Sequence, residues 1–359
     1  MVLILLFKVE PYLDNNLQKL GFSKPMTVAI IEALKANPHP NPRVGAVLTD
    51  QHGQIKAVSN HLKKGSNHAE MNLFDLVDPS QHDILYVTLE PCFHSDTSPS
   101  CATEIINRGI KKVIIGDIDD DIRTRGKSVE LLKKNNVSVL NEGNVNNFLN
   151  PYYSNFHRNS KKINYLLKVG LSNNDYLSDS SQDSKYITNK ISLNISHYLR
   201  ASADCIIIGK NTLLNDNPKL DVRLDNLNNM KTQPVPIVMW GKSNDNLMKA
   251  LNTYPNFTFL SDMPNHNNNV QCNTDSLEEV EKYFIEREFR NIFIEGGKSI
   301  IDSFLKKDMI DQIYEFKSAS NVKQGLSVGK TYRDKVNFNF RVVEKYKLKD
   351  NSLTTYTKN

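Results

Sequence analysis

Apolar residues in the first half of the chain alternate between helical spacing and short continuous runs. Within residues 24–36 they recur every three or four positions, which is the spacing of one face of a helix. Prolines at 38, 40 and 42 end that helix, and the continuous run at 84–88 is typical of a strand buried on both faces. The same criteria predict strands at 44–49, 55–59, 113–115 and 137–140, and helices from 68 to about 77 and at 101–107, 126–135 and 144–158.

After a polar run at 159–162 the alternation of strands and helices starts again. This pattern predicts a linker between two α/β domains, residues 1–158 and residues 159–359. The second domain has predicted strands at 165–169, 205–208, 236–239, 257–260, 292–294 and 313–316, and helices at 189–201, 276–287 and 299–306. An apolar stretch at 2–7 is too short to span a bilayer, so we expect a strand or a packing segment there and no membrane partner.

Composition and charge narrow the class of protein. The chain has 359 residues, a hydrophobic share of 39% and a formal net charge of +5. Its charges are mixed in sign, without a block of Lys and Arg, so we expect no nucleic-acid partner. Four cysteines, two of them candidate metal ligands, are typical of a reducing cytoplasm and not of a disulfide scaffold. We therefore expect a cytoplasmic protein.

One stretch carries the motif with the clearest chemistry. His68 and Glu70 form a His-x-Glu pair at a predicted helix start, and Pro91-Cys92, expected to begin a second helical region, precedes Cys101. His and Cys are preferred zinc ligands, and three protein ligands leave a fourth position for water. This order is that of zinc deaminases, in which the Glu shuttles protons and does not bind the metal. We predict one zinc per chain on His68, Cys92 and Cys101, with Glu70 catalytic; the alternatives are a structural zinc site and ordinary core packing.

A second stretch places two glycines between a predicted strand and a predicted helix. Gly296 and Gly297 follow Glu295 there. Such glycines let backbone N–H groups approach a pyrophosphate at the helix N-terminus. The alternative is an ordinary tight connection, because a Gly-Gly pair by itself is a weak signal.

Several motifs together resemble one family. His-Pro-Asn-Pro-Arg-Val-Gly-Ala-Val at 39–47, His-Ala-Glu at 68–70 and Thr-Leu-Glu-Pro-Cys at 88–92 are similar to the deaminase half of the bifunctional riboflavin-biosynthesis deaminase/reductases. Residues 199–223 and 293–311 resemble the reductase half. The long gap between the two cysteines also fits this family. The resemblance implies an N-terminal cytidine-deaminase-like three-layer α/β/α domain followed by a dihydrofolate-reductase-like α/β domain.

The resemblance also implies two consecutive reactions on a phosphoribosylated pyrimidine. Zinc-dependent hydrolysis would remove the exocyclic amine of 2,5-diamino-6-(5-phosphoribosylamino)pyrimidin-4(3H)-one, and NADPH would then reduce the ribosyl group to ribityl. The residues expected at the substrates are Asn41, Ser184, Arg200, Leu220, Arg223 and Glu295. The residues expected at NADPH are Gly170, Tyr186, Thr212, Asp216, Gly296 and Gly297. A turn residue is the alternative for Asn41 and Asp216, and a salt bridge is the alternative for the two arginines.

Positions expected to face substrate depart from the family pattern more than the zinc motif does. The family's Ser-Leu-Asp-Gly-Arg reads Ser-Asn-Asn-Asp-Tyr at 172–176, and an Arg in the loop before Cys101 is absent. An Asn cannot carry the charge of an Asp, and the loss of Gly removes a permissive backbone position. We therefore expect NADPH binding with slow reduction. The alternatives are a deaminase with a weakened or repurposed reductase half and a non-catalytic zinc-bound partner protein, and a homo-oligomer (dimer or tetramer) is expected.

Overall fold

The computed structural model of the chain describes residues 22–93, 100–150, 163–180, 186–227 and 232–359. It divides into two compact units, one of residues before 163 together with Arg223–Gln233, and one of Ile163–Val222 and Pro234–Asn359. The domain boundary predicted at 158/159 and the apolar stretch at 2–7 lie outside the described residues. Within the described ranges, no helix has both the length and the apolar character needed to cross a bilayer.

The first unit is built on a five-stranded sheet. Its strands are β1 (Gly45–Thr49), β2 (Ile55–Asn60), β3 (Ile84–Val87), β4 (Lys112–Ile115) and β5 (Ser138–Asn141). Its helices are α1 (Lys24–Leu34), α2 (Ala69–Phe74), α3 (Cys101–Asn107), α4 (Lys127–Lys134) and α5 (Asn146–Leu149). The strand order is β2-β1-β3-β4-β5, with β1 antiparallel to both of its neighbours and the remaining pairs parallel.

Helix α1 shows how local sequence sets this packing. Ser23 caps the helix by accepting a hydrogen bond from the Met26 N–H at 3.3 Å, and Pro25 lies in the first turn, where its missing N–H costs nothing. A Cβ on Gly45 would lie 2.0 Å from the carbonyl oxygen of Ala29. Only glycine therefore allows α1 to lie this close to β1.

The second unit is built on a nine-stranded sheet. Its strands are β6 (Asn164–Leu171), β7 (Cys205–Gly209), β8 (Val235–Gly241), β9 (Thr258–Ser261), β10 (Asn269–Gln271), β11 (Asn291–Ile294), β12 (Gln312–Ser318), β13 (Phe340–Leu348) and β14 (Asn351–Lys358). Its helices are α6 (Lys190–Ser202), α7 (Lys210–Asp216), α8 (Asp245–Thr253), α9 (Leu277–Glu286), α10 (Lys298–Lys306) and α11 (Lys330–Asn339). The strand order is β10-β9-β8-β7-β11-β6-β12-β14-β13.

Seven strands of this sheet are parallel, and the β13–β14 hairpin closes one edge in antiparallel pairing. Strands β7 and β11 are buried along their whole length, as their continuous apolar runs predict. In open parallel sheets, ligands bind in the crevice outside the carboxyl ends of the strands. The ends of β6, β7 and β11 are therefore the place to look for the site of this unit.

Two expectations about secondary structure are wrong. Pro91-Cys92 begins no helix, because the carbonyl oxygens of Pro91 and Cys92 accept hydrogen bonds from the Ser128 hydroxyl and the Ala102 N–H instead. Helix α2 ends at Phe74 and not near 77, with Pro79 following soon after. Sequence analysis also missed the elements α7, α8, α11, β10, β13 and β14. Of the helix predicted at 144–158, the described part is α5, and the remainder from 151 onward lies outside the described residues.

Candidate active sites of the two units

The three predicted zinc ligands converge in the first unit. One donor atom from each of His68, Cys92 and Cys101 lies within 4.8 Å of the others, and the Cys101 Sγ is 3.4 Å from the His68 Nδ1. His68 occupies the cap position before α2, and Cys101 is the first residue of α3. The Cys101 N–H also donates to the Cys92 Sγ at 3.3 Å. The N-termini of both helices thus lie at the sulfur and nitrogen donors.

The segment that carries Cys92 is fixed by the buried carboxylate of Glu90, which sequence analysis did not single out. One oxygen of Glu90 accepts hydrogen bonds from the N–H groups of Gly126 at 2.9 Å and of Asp119 at 3.1 Å. Ser128 adds a hydrogen bond at 2.6 Å to the carbonyl oxygen of Pro91. The start of α4 therefore holds the residues immediately before Cys92. The local sequence does not indicate these partners, because the N–H groups of Asp119 and Gly126 lie 29 and 36 positions further along the chain.

Glu70 lies beside the three donors and is 3% exposed. Burial raises the pKa of its carboxyl group to about 7, although the charge of His68 opposes this shift. A carboxyl group with a pKa near the working pH can both accept and donate a proton. Hydrogen bonds from Cys101 and His68 outweigh burial at Cys92 and lower the pKa of that thiol to about 4. A thiolate, a second cysteine and an imidazole form a donor set that fits Zn²⁺.

His61 is a further residue at this site that sequence analysis missed. Its Nδ1 lies 3.0 Å from the Asn67 carbonyl oxygen and therefore donates, while its Nε2 faces the Asn41 amide nitrogen at 3.1 Å and accepts. Burial lowers the pKa of His61, which favours this neutral form. Its ring meets the His68 ring edge-on, with centroids 5.3 Å apart. Asn41 is thus oriented by a residue that also contacts the candidate metal centre.

In the second unit a partly buried cluster of charges lies at the carboxyl ends of β6 and β11. The Glu295 carboxylate accepts from the Arg200 Nε at 2.9 Å and from the Lys168 Nζ at 3.3 Å. Burial by itself raises the pKa of Glu295, but the two cations outweigh it and leave this pKa below its usual value. The Arg200 Nη1 also donates to the Asp221 carbonyl oxygen at 3.0 Å. Lys168 was missed, although a lysine within the apolar strand pattern of 164–171 was a usable signal.

The two glycines after β11 are explained first by packing. A Cβ on Gly296 would lie 2.8 Å from the Ile300 Cβ, so glycine lets α10 fold back onto the strand. The Gly297 N–H donates to the Thr212 hydroxyl at 3.1 Å, which brings together two residues expected at NADPH. That N–H already has a partner, so the expected approach of a pyrophosphate to Gly297 stays a prediction.

The other predicted site residues are described one by one. Gly170 lies near the end of β6, and a Cβ there would make ordinary contacts with Thr188 and Lys168. Leu220 is buried and has a φ of 54°, in the left-handed region. Three more are exposed: Tyr186 is 52% exposed, Asp216 ends α7, and Arg223 lies in the segment grouped with the first unit. Ser184 lies outside the described residues.

Comparison with known proteins gives a match for each of the two candidate sites. Residues 22–117 match the family model of the cytidine and deoxycytidylate deaminase zinc-binding region, and residues 167–320 match that of the RibD C-terminal domain. The riboflavin biosynthesis protein RibD of Aquifex aeolicus (strain VF5) is 30% identical over 332 residues, which cover 88% of this chain and 90% of the relative. The chain belongs to the RibD family. It is therefore an enzyme of riboflavin biosynthesis with deaminase and reductase activities.

Two further proteins match a part or nearly all of the chain. A diaminohydroxyphosphoribosylamino-pyrimidine deaminase of Buchnera aphidicola subsp. Schizaphis graminum is 41% identical over 101 residues, covering 28% of this chain and 68% of the relative. The crystal structure of the Thermotoga maritima deaminase/reductase has a TM-score of 0.70 and 26% identity, and the match covers 93% of this chain and 98% of that one. These matches confirm the predicted α/β fold class, a cytidine-deaminase-like domain followed by a dihydrofolate-reductase-like domain, and the predicted cofactors Zn²⁺ and NADPH.

Proposed function

We propose that the first unit hydrolytically deaminates 2,5-diamino-6-(5-phosphoribosylamino)pyrimidin-4(3H)-one at a single zinc ion. The observation that supports this most is the convergence of His68, Cys92 and Cys101 within 4.8 Å, with the buried Glu70 beside them. Bound zinc supplies a hydroxide at neutral pH by lowering the pKa of its water. The reaction exchanges the ring amine for oxygen and releases ammonia, so protons must move from water to the ring and to the leaving nitrogen.

Glu70 and Asn41 have different roles in the proposed deamination. Glu70 accepts the proton of the attacking water and returns it to the leaving amine, a role that its pKa of about 7 suits. Asn41 offers its amide to the polar edge of the pyrimidine and is held in place by His61, 3.1 Å away. A structural zinc site would not require a buried carboxylate whose proton affinity is raised in this way, and this argues against a non-catalytic role.

In the second unit we propose NADPH-dependent reduction of the ribosyl group to ribityl. Bound NADPH supplies the hydride, and the chain holds the sugar at the carboxyl ends of β6 and β11. Arg200 and Lys168 fix the Glu295 carboxylate, which is then pre-oriented for the sugar hydroxyls. The predicted binding of substrate phosphate by Arg200 and Arg223 stays a prediction. Thr212 and Gly297 form the proposed contact to the cofactor.

One experiment tests both proposals. Purified protein is incubated with the diaminopyrimidine, with and without NADPH, and the products are resolved by mass spectrometry. We expect an amine-to-oxygen exchange without NADPH, and the addition of two hydrogens only when NADPH is present. Deamination alone would support a weakened reductase half, and an unchanged substrate would support the non-catalytic alternative.

We also propose a homo-oligomer and a cytoplasmic location. Exposed apolar side chains around the β13–β14 edge, namely Phe338, Val342 and Val343, are the kind of surface that association with a second copy covers. Light scattering of the purified chain measures the assembly. The location is supported by the zinc site, because thiolate ligands require cysteines that remain reduced.

A further inference from the structure

The turn at residues 172–176, where this chain departs from its family, follows directly after β6. That strand carries Lys168 and Gly170 and pairs with β11, which ends immediately before Glu295. The turn therefore borders the crevice at the carboxyl ends of the strands, where ligands of parallel sheets bind. A shift of this turn would change one wall of the proposed reductase site.

The turn holds a residue in a conformation that favours glycine. Asp175 has a φ of 68°, at the position where the family has Gly. The left-handed region is unfavourable for a non-glycine residue, and Asp and Asn are among the residues that tolerate it best. The conformation is retained without the glycine, so other contacts must offset this cost.

Asn174 supplies one set of these contacts. Its amide oxygen accepts from the Val322 N–H at 2.9 Å, and its amide nitrogen donates to the Val322 carbonyl oxygen at 2.8 Å. An aspartate could accept but could not donate, so the Asn at this position satisfies both groups of Val322. Asn174, which replaces a charged Asp of the family, therefore makes a pair of hydrogen bonds to the segment after β12.

A cluster of charges supplies the second set. The Asp175 carboxylate accepts from the Arg333 Nε at 3.0 Å, from the Arg333 Nη2, and from the Lys317 Nζ at 3.0 Å. The Arg333 Nη1 donates to the Glu315 carboxylate at 2.7 Å, and Glu315 also accepts from the Tyr332 hydroxyl at 2.8 Å. One guanidinium on α11 therefore joins the turn to a carboxylate that is buried on β12.

We propose that Arg333 is a positioning residue for the reduction, because it clamps Asp175 to Glu315 and so fixes the turn 172–176 beside the reacting groups. The inference rests on the proposed reductase site. Arginine suits this role, since its planar fork of N–H groups can bind one carboxylate with two bonds and reach a second one. The clamp takes over the conformational role that glycine has in the family.

The test compares steady-state reduction by Arg333→Met, Arg333→Lys and Asp175→Asn with that of the unaltered chain. Asn tolerates the left-handed backbone, so Asp175→Asn removes the charge and keeps the turn type. We expect Arg333→Met to lower kcat for reduction by about 10- to 100-fold with little change in the KM for NADPH, because small positioning errors act on the chemical step. Arg333→Lys should restore part of the loss. Arg341→Met, at an exposed position on β13, is the matched control and should change nothing.

Two further measurements separate a positioning role from a structural one. Deamination by the same samples, which should be unaffected, reports on the first unit, and an unchanged KM for NADPH reports that the second unit, which contains Arg333 and Asp175, is folded. The double variant with Asp175→Asn and Arg333→Met should lose clearly less than the product of the two single losses, because both changes break the same contact between Asp175 and Arg333. A kcat for reduction within about twofold of wild type in Arg333→Met, or strictly multiplicative losses in the double variant, overturns the proposal.

Failure of the proposed reductase site would look different. In that case the unaltered chain would not reduce the deaminated substrate at all. Amide exchange at Val328, whose N–H donates to the Asp175 carbonyl oxygen at 3.0 Å, would still report whether Arg333 holds the turn. Unchanged exchange in Arg333→Met would then refute the clamp by itself.

Discussion

Replacing Glu70 with Gln separates proton transfer from metal binding in the deaminase unit. The side chain is 3% exposed, and burial raises the pKa of its carboxyl group to about 7, which suits a group that both accepts and donates a proton. Gln has nearly the same volume and keeps the packing, but its amide cannot accept and return a proton. Loss of a general acid–base typically lowers the rate by about 10²- to 10⁴-fold. At ~1.4 kcal/mol per factor of ten, this is a barrier increase of roughly 3–5.5 kcal/mol.

The assay for Glu70→Gln has three readouts. Ammonia release measures deamination, metal analysis measures zinc, and NADPH consumption with deaminated substrate measures the second unit. We expect the first to fall and the other two to stay at the wild-type level. Glu130→Gln, at an exposed position on α4, is the control for the change itself. Near wild-type ammonia release would show that another group moves the proton, and loss of zinc would show that Glu70 holds the metal centre together.

Three other changes test other parts of the two sites. Cys101→Ser should strongly reduce bound zinc, and full retention measured by metal analysis would refute this ligand assignment. Glu90→Gln should lower the free energy of unfolding by about 1–3 kcal/mol, because an amide NH₂ would face backbone N–H groups. Glu130→Gln should leave the free energy of unfolding unchanged, and denaturant titration measures both variants. Asn174→Asp combined with Asp175→Gly should lower the rate of reduction, since it breaks both sets of turn contacts, and a faster enzyme would favour a loose turn instead.

The candidate metal centre could be predicted from sequence because zinc ligands and the neighbouring Glu are specific residue types that follow one another in a fixed order along the chain. His68, Glu70 and Cys92 lie near the ends of strands or the starts of helices whose patterns are strong, and such ends converge in a parallel sheet. His61 and Glu90 could not be found in this way. Each acts through hydrogen bonds to backbone groups or to another side chain, and the spacing along the chain carries no record of those partners.

Three of the elements that sequence analysis missed, namely β13, β14 and α11, have a common physical cause. Strands β13 and β14 lie at the sheet edge, where β13 is exposed along most of its length, so neither a continuous apolar run nor a clean alternation marks it. Helix α11 has only Tyr332 and Val336 buried, too few apolar positions to show a helical period. Their structure is set by pairing with β12 and by packing against the sheet, which are properties of the fold and not of the local sequence.

The turn at 172–176 shows why a changed motif need not mean a lost function. Read locally, replacement of Asp by Asn and of Gly by Asp removes a charge and a permissive backbone position, which led us to expect slow reduction. In the structure the turn is held by contacts with residues that are distant in sequence. Lys317 and Arg333, which bind the Asp175 carboxylate, lie 142 and 158 positions from Asp175. The effect of a substitution in this turn has to be considered together with the distant residues that contact it, because all of these contacts together determine the geometry of the turn. Slow reduction remains a prediction, but a loosened turn is no longer a reason for it.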